Sequence, residues 1–176
     1  MPAARRHAHV VNIEEVTPME ENRGGFAFRA RRLGGEAGGG GIGCRHYEVP
    51  AGKTAFPFHF HSALEEALYI LDGRGTVRIG KEKVEVGPGD YVAFPPGPEH
   101  AHQLVASSDG PLRYLCLSGP ATPLTLDIVG YPDSKKVAYA AGINPAKGMR
   151  SAWLMKIVNE DQPSLDYYEG EPLAQR

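Results

Sequence analysis

Short runs of alternating apolar and polar residues, separated by turn-forming residues, fill the middle of this chain. Side chains in a β-strand point alternately to two faces, so such runs are typical of strands with one buried face. The pattern predicts strands at Ile42–Val49, Thr54–His61, Glu66–Leu71, Thr76–Ile79, Lys83–Val86, Tyr91–Phe94, His100–Val105 and Leu112–Ser118. Short strands at this spacing favour a sandwich or a barrel, and we therefore predict an all-β fold.

The two ends of the chain have looser patterns. The segment Gly34–Gly43 is so rich in glycine that ordering it would cost much backbone entropy, which predicts a loop. Beyond the core, shorter strands are predicted at Leu126–Gly130, Lys136–Ala140 and Trp153–Val158. We predict three parts: an N-terminal arm with a glycine-rich loop over residues 1–41, a barrel core over 42–119, and a C-terminal extension over 120–176 that packs on the barrel or on a dimer partner.

Length and charge agree with one small domain. The chain has 176 residues and a formal net charge of -2, which gives no general attraction to nucleic acid or to anionic membranes. No apolar run approaches the ~20 residues of a membrane span, and the N-terminus lacks the apolar segment of a secretory signal. Cys44 and Cys116 are expected to be buried free thiols. We therefore expect a cytoplasmic protein that binds neither nucleic acid nor membrane.

Four of the seven histidines lie in two short strand-like segments. In the first, His59 and His61 are two residues apart and point to the same face of the predicted strand. A carboxylate returns on the next strand, where alternation places Glu66 on the inner face and Glu65 on the outer face. Imidazole and carboxylate groups together are ligands for divalent transition metals such as Mn, Fe, Ni, Cu or Zn.

The second segment offers two candidates for a further ligand. His102 shares an inward face with Leu104 and Ala106, whereas His100 has the same parity but would lie at the mouth of the strand. We favour His102 as the fourth ligand. His100 stays open as the alternative ligand or as a group that supports one.

These two segments resemble the paired motifs of the cupin superfamily. The first motif is matched by Gly52, His59, His61, Glu66 and Gly73, and the second by Gly89, Pro95, Gly97 and His100. The chain departs from the family pattern at the usual asparagine, which is Leu104. The resemblance implies a jelly roll, also called a double-stranded β-helix. It further implies one divalent metal held near one mouth of the barrel by His59, His61, Glu66 and His102.

The resemblance leaves the reaction open. The chain looks like the single-domain cupins of the phosphomannose-isomerase-like group, which implies a sugar-phosphate-isomerase-like enzyme acting on a small polar metabolite. A metal-dependent dioxygenase or lyase and a non-enzymatic small-molecule binding module are the alternatives, and no catalytic residue is assigned. No site for an organic cofactor is predicted. The resemblance and the long arms together favour a homodimer.

Overall fold

The computed structural model describes residues 6–120, 126–144 and 146–165. Thirteen strands are present in these ranges, and every ladder between them is antiparallel. The strands are β1 Met19–Arg23, β2 Phe26–Arg32, β3 Gly43–Val49, β4 Phe60–His61, β5 Leu64–Asp72, β6 Gly75–Ile79, β7 Glu82–Val86, β8 Tyr91–Phe94, β9 His102–Ala106, β10 Leu112–Pro120, β11 Leu126–Tyr131, β12 Lys136–Ala141 and β13 Leu154–Asn159.

Helical structure is confined to short pieces. One α-helix, α1, covers Leu33–Glu36, and single 3₁₀ turns cover Ile13–Glu15, Pro98–His100, Pro132–Ser134 and Met149–Ser151. No helix among the described residues is long and apolar enough to cross a membrane. The prediction of an all-β fold is confirmed.

The strands form three hydrogen-bonded groups. The largest sheet has the order β1-β2-β3-β10-β5-β8, a second has the order β13-β12-β11-β4, and a third has the order β7-β6-β9. An isolated bridge between His59 and His102 links the segment before β4 to the first residue of β9. The sheets therefore meet at the histidine segments.

The inner faces of these sheets bury the core that the alternation predicts. Side chains from β3, β5, β6, β8, β9 and β10 form one cluster, which includes Val49, Ile70, Val77, Phe94 and Leu112. Each of these five is at most 2% exposed. At about 25 cal/mol per Å² of apolar area, a continuous core of this kind is the main source of stability.

Two glycines are required by close approaches of the chain. Gly73, in the turn between β5 and β6, has φ +82°, and an added Cβ would meet the carbonyl oxygen of Pro111 at 2.2 Å. Gly130 in β11 lies under the ring of Phe60, which would be 2.2 Å from an added Cβ. The first glycine allows the tight turn from β5 into β6, and the second lets β11 pair closely with β4.

Most predicted strands agree with the structure to within one or two residues, but two regions differ. The predicted strand Thr54–His61 is ladder-paired only at Phe60–His61. Pro57 has no N–H to donate, and the chain on either side of it makes only isolated bridges, at Thr54 and at His59. The hairpin β1–β2 was not predicted. Its first strand, MEENR, is almost entirely polar, so only the Gly24-Gly25 turn could have indicated it.

The C-terminal strands lie next to the histidine segment. β11 pairs with β4, with Val129 opposite His61. This pairing brings a segment more than sixty residues away in sequence against the first histidine motif. The division of the chain into an arm, a barrel core and an extension stays a prediction, and Asp166–Arg176 lies outside the described residues.

Candidate metal centre

Three histidines surround one carboxylate at the end of the barrel where β5 begins. The Nε2 atoms of His61 and His102 both lie 3.4 Å from Oε2 of Glu66, and Nε2 of His59 lies 3.6 Å from the same oxygen. One ligand atom each from His59, His61 and Glu66 lie within 4.8 Å of one another, a grouping that could hold a metal ion. The four residues that the sequence predicts as ligands are therefore brought together.

Local strand geometry sets the positions of the three rings. His61 is the second residue of β4, and His102 is the first residue of β9. His59 and His102 exchange both backbone hydrogen bonds, with N···O distances of 3.1 and 2.7 Å. In addition, the ring of Phe94 stacks on that of His102 with centroids 3.6 Å apart. The rings are held by backbone pairing and by packing, so little ordering remains for a ligand to induce.

Each of the three imidazoles has its other ring nitrogen occupied. Nδ1 of His59 lies 2.9 Å from the carbonyl oxygen of Pro57, and Nδ1 of His102 lies 3.0 Å from the carbonyl oxygen of His100. Nδ1 of His61 lies 2.5 Å from Oδ2 of Asp127. Because each of these acceptors requires a proton on Nδ1, each neutral ring presents the lone pair of Nε2 to the centre. The donor set therefore fits a divalent metal.

Asp127 is the residue that sequence reasoning missed. It lies in β11, it is 0% exposed, and its Oδ1 accepts hydrogen bonds from the backbone N–H groups of Ser62 and Ala63 at 3.1 and 3.0 Å. It fixes both the orientation of the His61 ring and the turn between β4 and β5. An aspartate flanked by apolar residues in the predicted strand Leu126–Gly130 was the available signal, because a charged residue on a buried strand position needs a partner.

Electrostatics within the cluster favour an ionised carboxylate. Burial raises the pKa of Glu66, but the three histidines, with His61 first, outweigh it and hold that pKa well below its usual range. Burial lowers the pKa of His61, yet Glu66 and Asp127 together raise it to about 10. Burial also lowers the pKa of His102. The carboxylate is thus ready to bind a cation, and a metal would compete with a proton at His61.

Two cavities adjoin the histidines of the cluster. An interior cavity of about 30 Å³ touches His59, Glu66 and His102 and has room for about one water molecule. A larger cavity of about 140 Å³ lies at the mouth, where it is lined by Phe56, Pro57, His59, His61, Glu66, Val129 and Tyr131. The ring of Tyr131 stacks over His59 at 6.2 Å, and Nζ of Lys136 lies 5.3 Å above the Tyr131 ring. A small molecule entering the mouth therefore meets the histidines and the tyrosine together.

His100, the alternative fourth ligand, and Glu65, the expected outward neighbour of Glu66, both lie outside the cluster. His100 is in the 3₁₀ turn before β9, and its Nε2 lies 3.6 Å from Glu99 rather than near Glu66. It contributes its backbone carbonyl, which holds the ring of His102. Glu65 is exposed on the opposite face of β5 from Glu66, as the alternation predicts.

Comparison with known proteins identifies the domain that carries this cluster. Residues 45–118 match the family model described as the cupin domain, a range that contains all four predicted ligands. An uncharacterized protein of Methanocaldococcus jannaschii is 39% identical over 72 residues, which are 41% of this chain and 55% of that protein. The matched segment thus spans about half the length of that relative.

Solved structures extend the similarity to most of the chain. A sugar phosphate isomerase of the cupin superfamily from Silicibacter pomeroyi matches with a TM-score of 0.72 and 18% identity, over 90% of this chain and 97% of its own. A proposed sugar phosphate isomerase from Acidithiobacillus ferrooxidans matches with a TM-score of 0.70 and 23% identity over the same shares. A polyketide cyclase from Streptomyces resistomycificus matches less closely, with a TM-score of 0.52, 22% identity, and coverage of 64% of this chain and 79% of its own. These similarities show the jelly-roll fold, and residues 45–118 of the chain match the cupin domain.

Proposed function

We propose that this protein is a metal-dependent enzyme that acts on a small polar metabolite in the manner of a sugar phosphate isomerase, and that His59, His61, Glu66 and His102 bind its metal. One observation carries the proposal. All three imidazoles have their Nδ1 atoms occupied and present Nε2 to one carboxylate oxygen, at distances of 3.4–3.6 Å. A structural histidine cluster has no need of three rings fixed in one tautomer around an acidic group.

The donor set defines what a bound metal would supply. Three neutral imidazoles and one carboxylate compensate one unit of a divalent charge and leave a position for substrate, where a metal acts as a Lewis acid on a carbonyl or hydroxyl oxygen. The chain's own residues hold and shield that position. Phe56 and Val129 form an apolar wall at the mouth, and Tyr131 places its ring over His59.

The mouth supports a polar, anionic substrate. Lys136 stands over the ring of Tyr131, which lines the mouth, and a lysine there attracts negatively charged groups. Two of the similar solved structures are described as sugar phosphate isomerases, which is consistent with this substrate class. Aldose–ketose conversion needs a group beside the metal that carries a proton. We assign this role to the hydroxyl of Tyr131, which lines the mouth.

The apolar wall gives a reason to test oxygen chemistry as the second function. Phe56, Pro57 and Val129 would suit a substrate with an apolar or aromatic face, as a dioxygenase or lyase would require. Redox activity would then depend on Fe, Mn, Ni or Cu in the site. A non-enzymatic binding module would use the same mouth without turnover.

Metal analysis of untagged protein, followed by assays of the metal-loaded chain, separates these functions. Aldose–ketose conversion of sugar phosphates supports the proposal, and metal-dependent oxygen consumption supports the second function. Ligand-induced melting shifts without turnover indicate a binding module. Substitution of His61 by alanine is the matched control, and its retention of full metal content or activity would refute the site.

We also propose that the protein acts as a cytoplasmic homodimer. Residues near the chain ends, such as Val10 and Leu165, are exposed apolar groups that need cover. Sedimentation of the full chain, and of chains lacking Met1–Glu21 or Asp166–Arg176, tests the dimer. A full-length chain that is monomeric at all concentrations would rule it out.

A further inference from the structure

Two arginines face the inside of the barrel at the same end as the histidine cluster. Arg32 is the last residue of β2 and is paired with Arg45 near the start of β3. Arg32 shares its strand face with Ala30, and Arg45 shares its face with Tyr47. Both Ala30 and Tyr47 belong to the core cluster, at 0% and 3% exposure. The alternation therefore directs both side chains to the inner face of the sheet, at the edge of the core.

These two cations lack the counter-charges that their neighbours have. On the outer face of the same sheet, Arg29 pairs with Glu20 at 2.8 Å, and Arg113 pairs with Glu48 at 2.9 Å. Within residues 6–120, 126–144 and 146–165, neither Arg32 nor Arg45 forms an ion pair with a carboxylate. In addition, Nε of Arg32 is buried without a hydrogen-bond partner.

Such an arrangement is costly unless an anion completes it. Like charges directly opposite one another on adjacent strands destabilise a sheet, and a buried donor without an acceptor adds the cost of its desolvation. The fold keeps Arg45 in place by packing, because its guanidinium lies against Gly148, where an added Cβ would be 2.0 Å from its terminal nitrogen. Both arginines are thus held where an oxyanion could bridge them.

A short path connects this pair to the metal centre. Cys116 in β10 is directly opposite Arg45, and its Sγ lies 4.0 Å from Oε1 of Glu66. Strand β10 therefore lies between the strand of Arg45 and the strand of Glu66, and Cys116 on β10 has neighbours on both. Burial has the largest effect on the pKa of the Cys116 thiol and raises it. Glu66 raises that pKa further and Arg45 lowers it, so both charges lie close enough to act on the thiol.

We propose that Arg32 and Arg45 form an oxyanion subsite that takes the phosphate of the substrate handled at the histidine cluster. Guanidinium groups present paired N–H donors that match two oxygens of a phosphate, and two of them balance its double charge. The assignment rests on the proposed function for its substrate, but the subsite itself rests on the arginine pair. It predicts that the enzyme recognises the phosphate by charge and the sugar at the metal.

The first test measures binding of inorganic phosphate to the full chain by titration calorimetry. Because phosphate can also bind a metal, the chain is treated with a chelator before the titration. Loss of one charge-assisted contact is expected to weaken binding about ten- to a hundredfold in Arg32→Gln and in Arg45→Gln. Arg29→Gln is the matched control, since it lies on the same strand as Arg32 but faces outward, and it should bind phosphate as the wild type does.

A charge-preserving variant keeps the test decisive if one substitution disturbs the fold. Arg45→Lys retains the cation but loses the paired donors, so phosphate affinity should fall between those of the wild type and Arg45→Gln. Circular dichroism and metal content should be unchanged in all these variants, because none removes a proposed metal ligand. Equal phosphate affinity in the wild type, Arg32→Gln and Arg45→Lys overturns the proposal. A weak affinity that Arg29→Gln lowers as much as Arg32→Gln does also overturns it, because the bound phosphate is then an adventitious ion only.

A second readout separates the subsite from the function on which it rests. In the metal-loaded protein, Arg45→Gln should have a higher KM for a sugar phosphate than the wild type. For the same sugar without phosphate, the KM of Arg45→Gln and that of the wild type should be equal. Phosphate binding that depends on the arginines, without any conversion of sugar phosphates, would leave the subsite standing and refute the isomerase function. Conversion of sugar phosphates that requires His61 but is unchanged in Arg32→Gln and Arg45→Gln would support the isomerase function and refute the subsite.

Discussion

The two ends of the barrel are built from the same strands, yet their inward side chains differ in kind. Along β5 the inward positions run from Glu66 through Leu68 to Ile70, and along β9 they run from His102 through Leu104 to Ala106. On each of these strands a group that can bind a ligand is thus followed by groups that pack. The last positions, Ile70 and Ala106, are closed and apolar, whereas Glu66 and His102 border cavities.

This difference separates stability from chemistry within one strand. The apolar end needs no ligand to be satisfied, because its contacts are made by the chain itself. The polar end is an expensive arrangement that a ligand improves, since it gathers buried imidazoles, a carboxylate and two arginines. Substitutions at the two ends should therefore fail in different ways, one by unfolding and the other by losing ligands.

The largest effect is expected from the apolar end. Ile70 is fully buried, so Ile70→Ala should lower the free energy of unfolding by ~2–5 kcal/mol through lost burial and a residual cavity. Urea denaturation measures this loss. The matched control, Ile70→Val, should lose only ~0.5–1.5 kcal/mol. Under conditions where Ile70→Ala remains folded, its metal content should equal that of the wild type, and a metal-free but folded variant would contradict the separation of the two ends.

The next effect concerns the polar end. His61→Ala should abolish bound metal and leave the chain folded, because the core does not depend on the metal. At metal one hundred times its dissociation constant, the wild type should gain roughly 2.7 kcal/mol of stability over the chelated chain, and the variant should gain none. Metal analysis and denaturation with and without chelator provide the measurement. Global unfolding of the variant would mean that the metal is structural.

A smaller effect is expected at Asp127, which contacts the ring of the proposed ligand His61. Asp127→Asn can still accept hydrogen bonds from the Ser62 and Ala63 backbone, but its amide would donate to Nδ1 of His61 and turn the lone pair of the ring away from the centre. Metal affinity should fall ~10–100-fold while the fold is retained. Competition with a metal indicator measures the affinity. An unchanged affinity would show that Asp127 serves only the β4–β5 turn.

The smallest effect is expected at Glu65, the neighbour of the proposed ligand Glu66. Glu65→Gln should change neither metal affinity nor the free energy of unfolding by more than about 0.5 kcal/mol, because its side chain is exposed. Glu66→Gln, one residue later, should lose most of the metal because it removes the charge on which three histidines converge. Equal effects of the two substitutions would refute the assignment of inner and outer faces on β5.

Local pattern predicts the strands of the barrel well because each buried strand shows its own alternation. Strands β5 to β10 were predicted close to their observed bounds, and the paired histidine segments indicated where ligands should converge. The hairpin β1–β2 was missed, since its polar first strand is held by pairing with its neighbour rather than by burial of its own side chains. Strand pattern is informative only where a strand has apolar side chains of its own, as β13 has and β1 has not.

The sequence by itself determined the alternation that separates Glu66 from Glu65, the pairing of His59 with His61, and the apolar core beneath them. Only the tertiary structure decided which groups support these residues. Asp127 reaches His61 across 66 residues of chain, and Arg32 meets Arg45 through the pairing of β2 with β3. Contacts of this kind depend on which strands become neighbours, and no periodicity within a single strand carries that information.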